Sequence, residues 1–180
     1  MISIYSTTYS MFCGLLQICA DEQGITSISF MEKGQMEQQP QCPPPVMDHL
    51  NAAVEWLDAY QKRELTACAT SRKPYPKVKL HMEGSEFQRA VWEETMKIAF
   101  GETTTYGVLA RRVAQRMGKT KVSAQAVGGA LKQNHIILMI PCHRVIGAGR
   151  KLGGYMGKTG TDLKRLLLIH EEINLHLESK

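Results

Sequence analysis

The stretch Ile136 to Ile146, I-I-L-M-I-P-C-H-R-V-I, constrains this chain more than any other. Five consecutive apolar residues run into Pro141, and so short a run, stopped by a residue with no amide hydrogen, predicts a buried strand over 136–140. Cys142, His143 and Arg144 follow at once, before the chain turns apolar again at Val145 and Ile146. A thiol, an imidazole and a guanidinium are thus delivered to the end of a buried element. Cysteine attacks as its thiolate, and a neighbouring cation or base lowers its pKa from about 8.5. The pattern makes Cys142 a candidate nucleophile, with His143 and Arg144 as activating neighbours. A lone cysteine in an apolar run reads as packing; the proline before and the basic pair after argue for chemistry.

Charge separates the two halves of the chain. Residues 1–83 carry seven Lys or Arg against nine Asp or Glu, a net of −2, and residues 84–180 carry fifteen against eight, a net of +7. No acidic residue lies between Glu102 and Asp162, the segment that surrounds Cys142. Such a surface suits a polyanion. The five cysteines, at 13, 19, 42, 68 and 142, are odd in number and form no C-x-x-C pair, so neither a disulfide framework nor a zinc site is indicated. With no signal segment and no apolar run of about 20 residues, the sequence predicts a cytoplasmic protein without a membrane partner.

Taken in order, loose alternation over Met1 to Tyr9, an apolar Phe12 to Cys19 and alternating Gly24 to Phe30 predict a small antiparallel sheet, with turns near Ser10 and Asp21 to Gly24. Gln35 to Pro45 predicts a loop, and Asp48 the cap of a helix ending near Tyr60 or Lys62. Arg72 to Met82 reads as an extended connector with a final short strand. A second unit is expected from Gly84, where Ser85 and Gln88 have capping-box spacing before a helix that stops at Phe100-Gly101. Thr103 to Thr105 offers a cap for the next helix, whose face is Leu109, Ala110, Val113, Ala114 and Met117. Gly118-Lys119-Thr120 breaks it, and a third helix runs from about Ser123 to Lys132. This is helix-turn-helix spacing. Gly128-Gly129 inside the third helix costs roughly 1 kcal/mol per glycine relative to alanine, which implies close approach by another helix and by a nucleic-acid backbone, on opposite faces.

Several motifs, in this order, carry a family resemblance: T-T-T-Y-G-V-L-A at 103–110, A-V-G-G-A-L at 126–131, Asn134, I-P-C-H-R-V-I at 140–146, G-G-Y at 153–155 and L-L-L-I-H-E at 166–171. Residues 84–172 resemble the O6-alkylguanine-DNA alkyltransferases strongly, and residues 1–83 only in general character. The resemblance implies an α+β fold: an N-terminal α/β bracing domain (1–83, small antiparallel sheet with helix, RNase H-like), then a helical, winged helix-turn-helix domain (84–180) that binds DNA and accepts the alkyl group. It implies a monomer that binds double-stranded alkylated DNA through the minor groove and flips the damaged base. The alkyl group, mainly methyl, passes irreversibly from O6-alkylguanine, with O4-alkylthymine as a further substrate, to Cys142. No cofactor and no metal are implied.

Carried over by position, the acceptor is Cys142, the base acting through a water is His143, its orienting carboxylate is Glu171, and Tyr106 donates a proton to the departing guanine. The resemblance sets Thr105, Tyr106, Lys121, Ser123, Gln125, Ala126, Gly128, Lys132, Asn134 and Arg144 against DNA. It lines the substrate pocket with Tyr106, Asn134, Val145, Gly154, Tyr155, Met156 and Lys158. Two departures stand out. Gln125 replaces an arginine that the family places in its recognition helix, predicting weaker base extrusion. Met156 and Lys158 stand where the family has smaller residues, predicting a preference for methyl over bulky adducts. Two other readings remain: a non-catalytic or weakly active lesion-binding helix-turn-helix protein, and a cysteine hydrolase using Cys142, His143 and Glu171.

Overall fold

A computed structural model describes residues 3–31, 42–65, 77–153, 155 and 160–173. The chain divides into two compact units, Met1–Glu83 and Gly84–Lys180.

In the first unit, β1 (Tyr5–Met11), β2 (Gly14–Asp21) and β3 (Gly24–Phe30) form an antiparallel sheet in that order. The period-two pattern of β2 sends Leu16, Ile18 and Ala20 to one buried face, where they meet Ile25 and Ile28 of β3. Helix α1 (Pro44–Gln61) covers the sheet with Val46, Leu50, Ala53 and Leu57, all buried. Fully burying side chains of this kind contributes roughly 1.5–3 kcal/mol each. The helix begins one turn before the expected Asp48 cap. Pro44 and Pro45 occupy its first turn, where a missing N–H is harmless and a fixed φ is already helical. The expected strand near residue 82 is a bridge at Leu80: the amide of Ile25 donates to Lys79 O and that of His81 to Ile25 O, both at 2.8 Å. Gly24 permits this approach, since a Cβ there would lie 2.5 Å from Lys79 O.

In the second unit, α2 (Glu86–Met96) starts with the expected capping box: the Ser85 hydroxyl accepts from the Gln88 amide, and the Gln88 side chain accepts from the Ser85 amide. It ends at Met96, a turn short of Phe100. A two-residue strand, β4 (Thr104–Thr105), leads into α3 (Tyr106–Arg116), capped by Thr105. Helix α4 (Ala124–Lys132) is capped by Ser123 and buries Val127, Ala130 and Leu131. The Trp92 indole N–H donates to Ala130 O at 3.0 Å, which ties α2 to α4. β5 (Val145–Ile146) pairs in parallel with β4, and α5 (Gly160–His170) follows. No described helix is long and apolar enough to cross a membrane.

The expected strand over 136–140 is not one. Those five residues are buried but wound into turns, with the Ile140 amide donating to Ile136 O at 3.0 Å and the Met139 amide to Ile137 O at 2.9 Å. Leu138 takes a positive φ of 70° to allow it. An apolar run signals burial, and burial alone does not separate a strand from a buried turn.

Candidate active site

The reason for the wound segment is Asn134. Its side-chain oxygen accepts from the Ile136 amide at 2.9 Å, and its Nδ2 donates to Ile140 O at 2.9 Å and to Cys142 Sγ at 3.3 Å. One amide therefore closes the loop and reaches the sulfur. Cys142, His143 and Arg144 form a single 3-10 turn, all three buried. β5 leaves this turn directly and β4 enters Tyr106 directly, so the pairing of Thr104 with Val145 and Thr105 with Ile146 holds the Tyr106 backbone in register with that of Cys142.

Helix α5 supplies the rest. Lys164, Leu167 and Leu168 on the helix, and Glu171 just past its end, recur at i, i+3, i+4 and i+7, the spacing of one helix face, and all are at most 1% exposed. Glu171 Oε1 lies 2.7 Å from His143 Nε2 and accepts from Arg144 Nη2 at 3.0 Å, while Oε2 accepts from Arg144 Nε at 2.8 Å. Two turns earlier, Lys164 Nζ donates to Val145 O at 2.6 Å and lies about 6 Å from the ring centres of Tyr106 and Tyr155. The sequence reading missed Lys164. Its signal was a lysine in the apolar stripe that ends in Glu171.

The electrostatics differ from the expectation that His143 and Arg144 acidify the thiol. Burial raises the pKa of Cys142, and the groups that oppose this are the hydrogen bonds from Asn134 and Tyr155 and the charge of Lys164. His143 and Arg144 face Glu171 instead. Burial favours neutral His143, lowering its pKa against the pull of Glu171. Burial would raise Glu171, but His143 and Arg144 together draw it down to about 2. Burial lowers Lys164 to about 8, and raises Tyr106, which the Cys142 charge raises further. With Nε2 engaged by a carboxylate, the other His143 nitrogen, Nδ1, is buried without a protein partner among the described residues. The site thus holds a nucleophile that keeps its proton at rest, a neutral base, a fixed anion behind the base, and an ammonium near the sulfur.

A family model described as 6-O-methylguanine DNA methyltransferase, DNA binding domain, matches residues 86–173, and one for its ribonuclease-like domain matches residues 4–70. A methylated-DNA-protein-cysteine methyltransferase of Methanosarcina acetivorans is 35% identical, over 92% of this chain and 96% of its own. The chain belongs to the methylated-DNA-protein-cysteine methyltransferase family. A relative from Haemophilus influenzae with the same name is 36% identical, over 96% of this chain and 89% of its own. The crystal structure of Mycobacterium tuberculosis OGT in complex with DNA aligns with a TM-score of 0.66 at 32% identity, over 92% of this chain and 91% of that one. The α+β architecture with a ribonuclease-like first part is accordingly that of the methyltransferase family.

Most residues that the methyltransferase resemblance sets against DNA share the helix-turn-helix surface. Lys121, Ser123, Gln125, Ala126 and Lys132 are exposed, and Thr105 and Tyr106 are half-buried at the start of α3. Gly128 is half-buried under the Tyr106 ring, where a Cβ would sit at an ordinary 3.8 Å, and Gly129 faces open space. The helix that meets the glycine pair is thus α3, whose first residue is Tyr106, at ordinary contact distance from Gly128. Arg144 is a correction. It is 6% exposed, with Nε and Nη2 on Glu171 and Nη1 donating to Ile98 O at 2.6 Å, so it clamps the carboxylate from inside and presents no donor to a DNA surface. Asn134, Val145 and Tyr155 are buried, Asn134 with its Nδ2 on the sulfur. Gly154, Met156 and Lys158 lie outside the described residues. Gly153, also missed, lies beside the Tyr106 hydroxyl, 3.6 Å from where its Cβ would be.

Proposed function

We propose that this chain repairs alkylated DNA by moving the alkyl group of O6-alkylguanine, chiefly methyl, onto Cys142 in a single irreversible turnover. The observation that carries this is the pairing of a buried, proton-bearing Cys142 with a neutral His143 whose Nε2 is held by Glu171. His143 Nδ1 takes the thiol proton through a water. The sulfur attacks the alkyl carbon, a C–S bond forms as the C–O6 bond breaks, and the electron pair leaves on guanine. Tyr106, whose raised pKa keeps its phenol protonated, gives that proton to the departing base. Asn134, Tyr155 and Lys164 steady the thiolate as it forms. The thioether formed is not reversed to the thiol, so the protein is consumed.

Double-stranded DNA is the partner, entered from the minor groove by α4. A base paired in the duplex is out of reach of a buried sulfur, so the lesion must be flipped out. Residues 84–180 bind DNA and accept the alkyl group as a monomer; residues 1–83 take no part in the chemistry. O4-alkylthymine presents a comparable leaving oxygen and is a second substrate. The test is intact mass after incubation with an O6-methylguanine duplex. One methyl gained per chain, absent in Cys142→Ala, supports the reading; turnover beyond one equivalent, or no gain, overturns it.

A further inference from the structure

The turn between α3 and α4 encloses a cleft of about 270 Å³ that the reaction does not use. Its walls carry three cations, Arg111 from α3 and Lys119 and Lys121 from the turn, with Thr120 between the two lysines and Ala114 and Val122 as apolar lining. All three cations are exposed, and none of the ion pairs of the described residues engages them. The neighbouring Arg116, by contrast, is paired with Glu93 and Glu94. Those acids are thus occupied, and no other acidic residue occurs from 103 to 161. Three uncompensated positive charges around one small concavity repel one another unless an anion sits between them.

The cleft is also shaped. Gly118, at a φ of 62°, turns the chain, the Lys119 amide donates to Ala114 O at 2.9 Å, and the Lys119 ammonium lies 5.9 Å from the centre of the Phe87 ring. The Lys119 amide thus ties the turn to α3, and Val122 brings the cleft to within one residue of Ser123, the cap of α4. A ligand here is held at a fixed distance from the helix proposed to enter the groove. The chemistry that fits is a single tetrahedral phosphate, charged, accepting several hydrogen bonds, and small enough for the concavity.

We propose that this cleft seats one phosphodiester of the DNA backbone, a contact separate from the groove face of α4, and so sets the register in which α4 meets the duplex. This rests on the DNA-binding reading above. Its signature is electrostatic, because each phosphate neutralised contributes about 0.9 to the slope of log K against log salt.

The experiment measures duplex affinity against salt for the wild type, Lys119→Ala, the Arg111→Ala/Lys119→Ala/Lys121→Ala triple variant, and Lys77→Ala as a charge control from the first unit. Methyl transfer by the wild type from the same duplex is measured first, so that a failure of the repair reading is seen separately. The expected result is a slope lower by about 1 in the triple variant, a smaller drop in Lys119→Ala, where Arg111 and Lys121 still hold the phosphate, and none in Lys77→Ala. The wild type then loses about 3.5-fold more affinity than the triple variant between roughly 50 and 200 mM salt. An unchanged slope in the triple variant of a protein that does transfer methyl overturns the phosphate seat alone. A drop of about 3 in the triple variant also overturns it, because the three cations then meet different phosphates.

Discussion

Glu171→Gln separates what the buried carboxylate does for the fold from what it does for the base. The carboxyl titrates at about 2 in place of its ordinary 4.5 and is 1% exposed, so its ionisation contributes about 3 kcal/mol of stability. The folded pKa is depressed, so that contribution is complete above the ordinary carboxylate range and is lost as pH falls from about 4.5 toward 2. Glutamine keeps the shape but not the charge. It leaves Arg144 buried without a counter-ion, for which breaking a buried pair costs roughly 3–5 kcal/mol. Urea denaturation should therefore find the variant less stable by that amount at pH 7. The gap to the wild type should narrow by about 2 kcal/mol at pH 3, where much of the wild-type advantage has been protonated away.

The second effect is on the tautomer. In the wild type, Nε2–H donates to Glu171 Oε1 and Nδ1 carries the free lone pair; glutamine can donate its own N–H to Nε2 and move the proton to Nδ1. A base protonated at the working nitrogen is no base. Single-turnover methyl transfer by the folded variant should drop by about 10²–10⁴. A gap in stability that is the same at pH 7 and pH 3 would refute the ion-pair argument. A folded variant that transfers methyl at the wild-type rate would refute the role given to His143.

Other perturbations address the sulfur and the recognition surface. Lys164→Met removes the cation that opposes the burial of Cys142, so the pH profile of iodoacetamide capture should move upward, and denaturation should show about 1–3 kcal/mol lost where Val145 O gives up this donor; an unmoved profile rules the lysine out. Asn134→Ala strips the buried Ile136 amide of its partner and leaves Ile140 O with the Cys142 amide alone, and should cost about 1–3 kcal/mol in denaturation for the orphaned amide. Gln125→Arg adds a guanidinium to the exposed face of α4 and should tighten duplex binding and speed transfer; equal affinity and rate would remove the argument for weak extrusion. Comparison of inactivation by methylated and benzylated guanine should favour methyl, and faster reaction with benzyl would refute the narrow rim expected from Met156.

What could be read in advance depended on the range of the forces involved. The caps at Ser85 and Thr105 were legible because a cap bonds an amide three residues away. β3 was legible because Gly24 to Phe30 alternates with the period of a half-buried strand. Residues 136–140 were misread because their shape is set by Asn134, which bonds the amide two residues ahead and the carbonyl six ahead, a pattern no propensity records. Arg144 was misread for a related reason: adjacency to Cys142 suggested an effect on the thiol, but Arg144, like His143, turns to Glu171, a partner 27 residues on. Lys164 was overlooked although it keeps strict helical spacing with Glu171, since lysine is almost never fully buried unless paired. That exception explains the site. One face of α5 presents a cation and an anion two turns apart, one beside the Cys142 and Val145 end of the turn and the other behind His143. Either charge alone would be costly in so dry a place. Paired with a forming thiolate on one side and an Arg144 clamp on the other, each is tolerated, and the helix that holds them sets the acceptor and its base in one rigid frame.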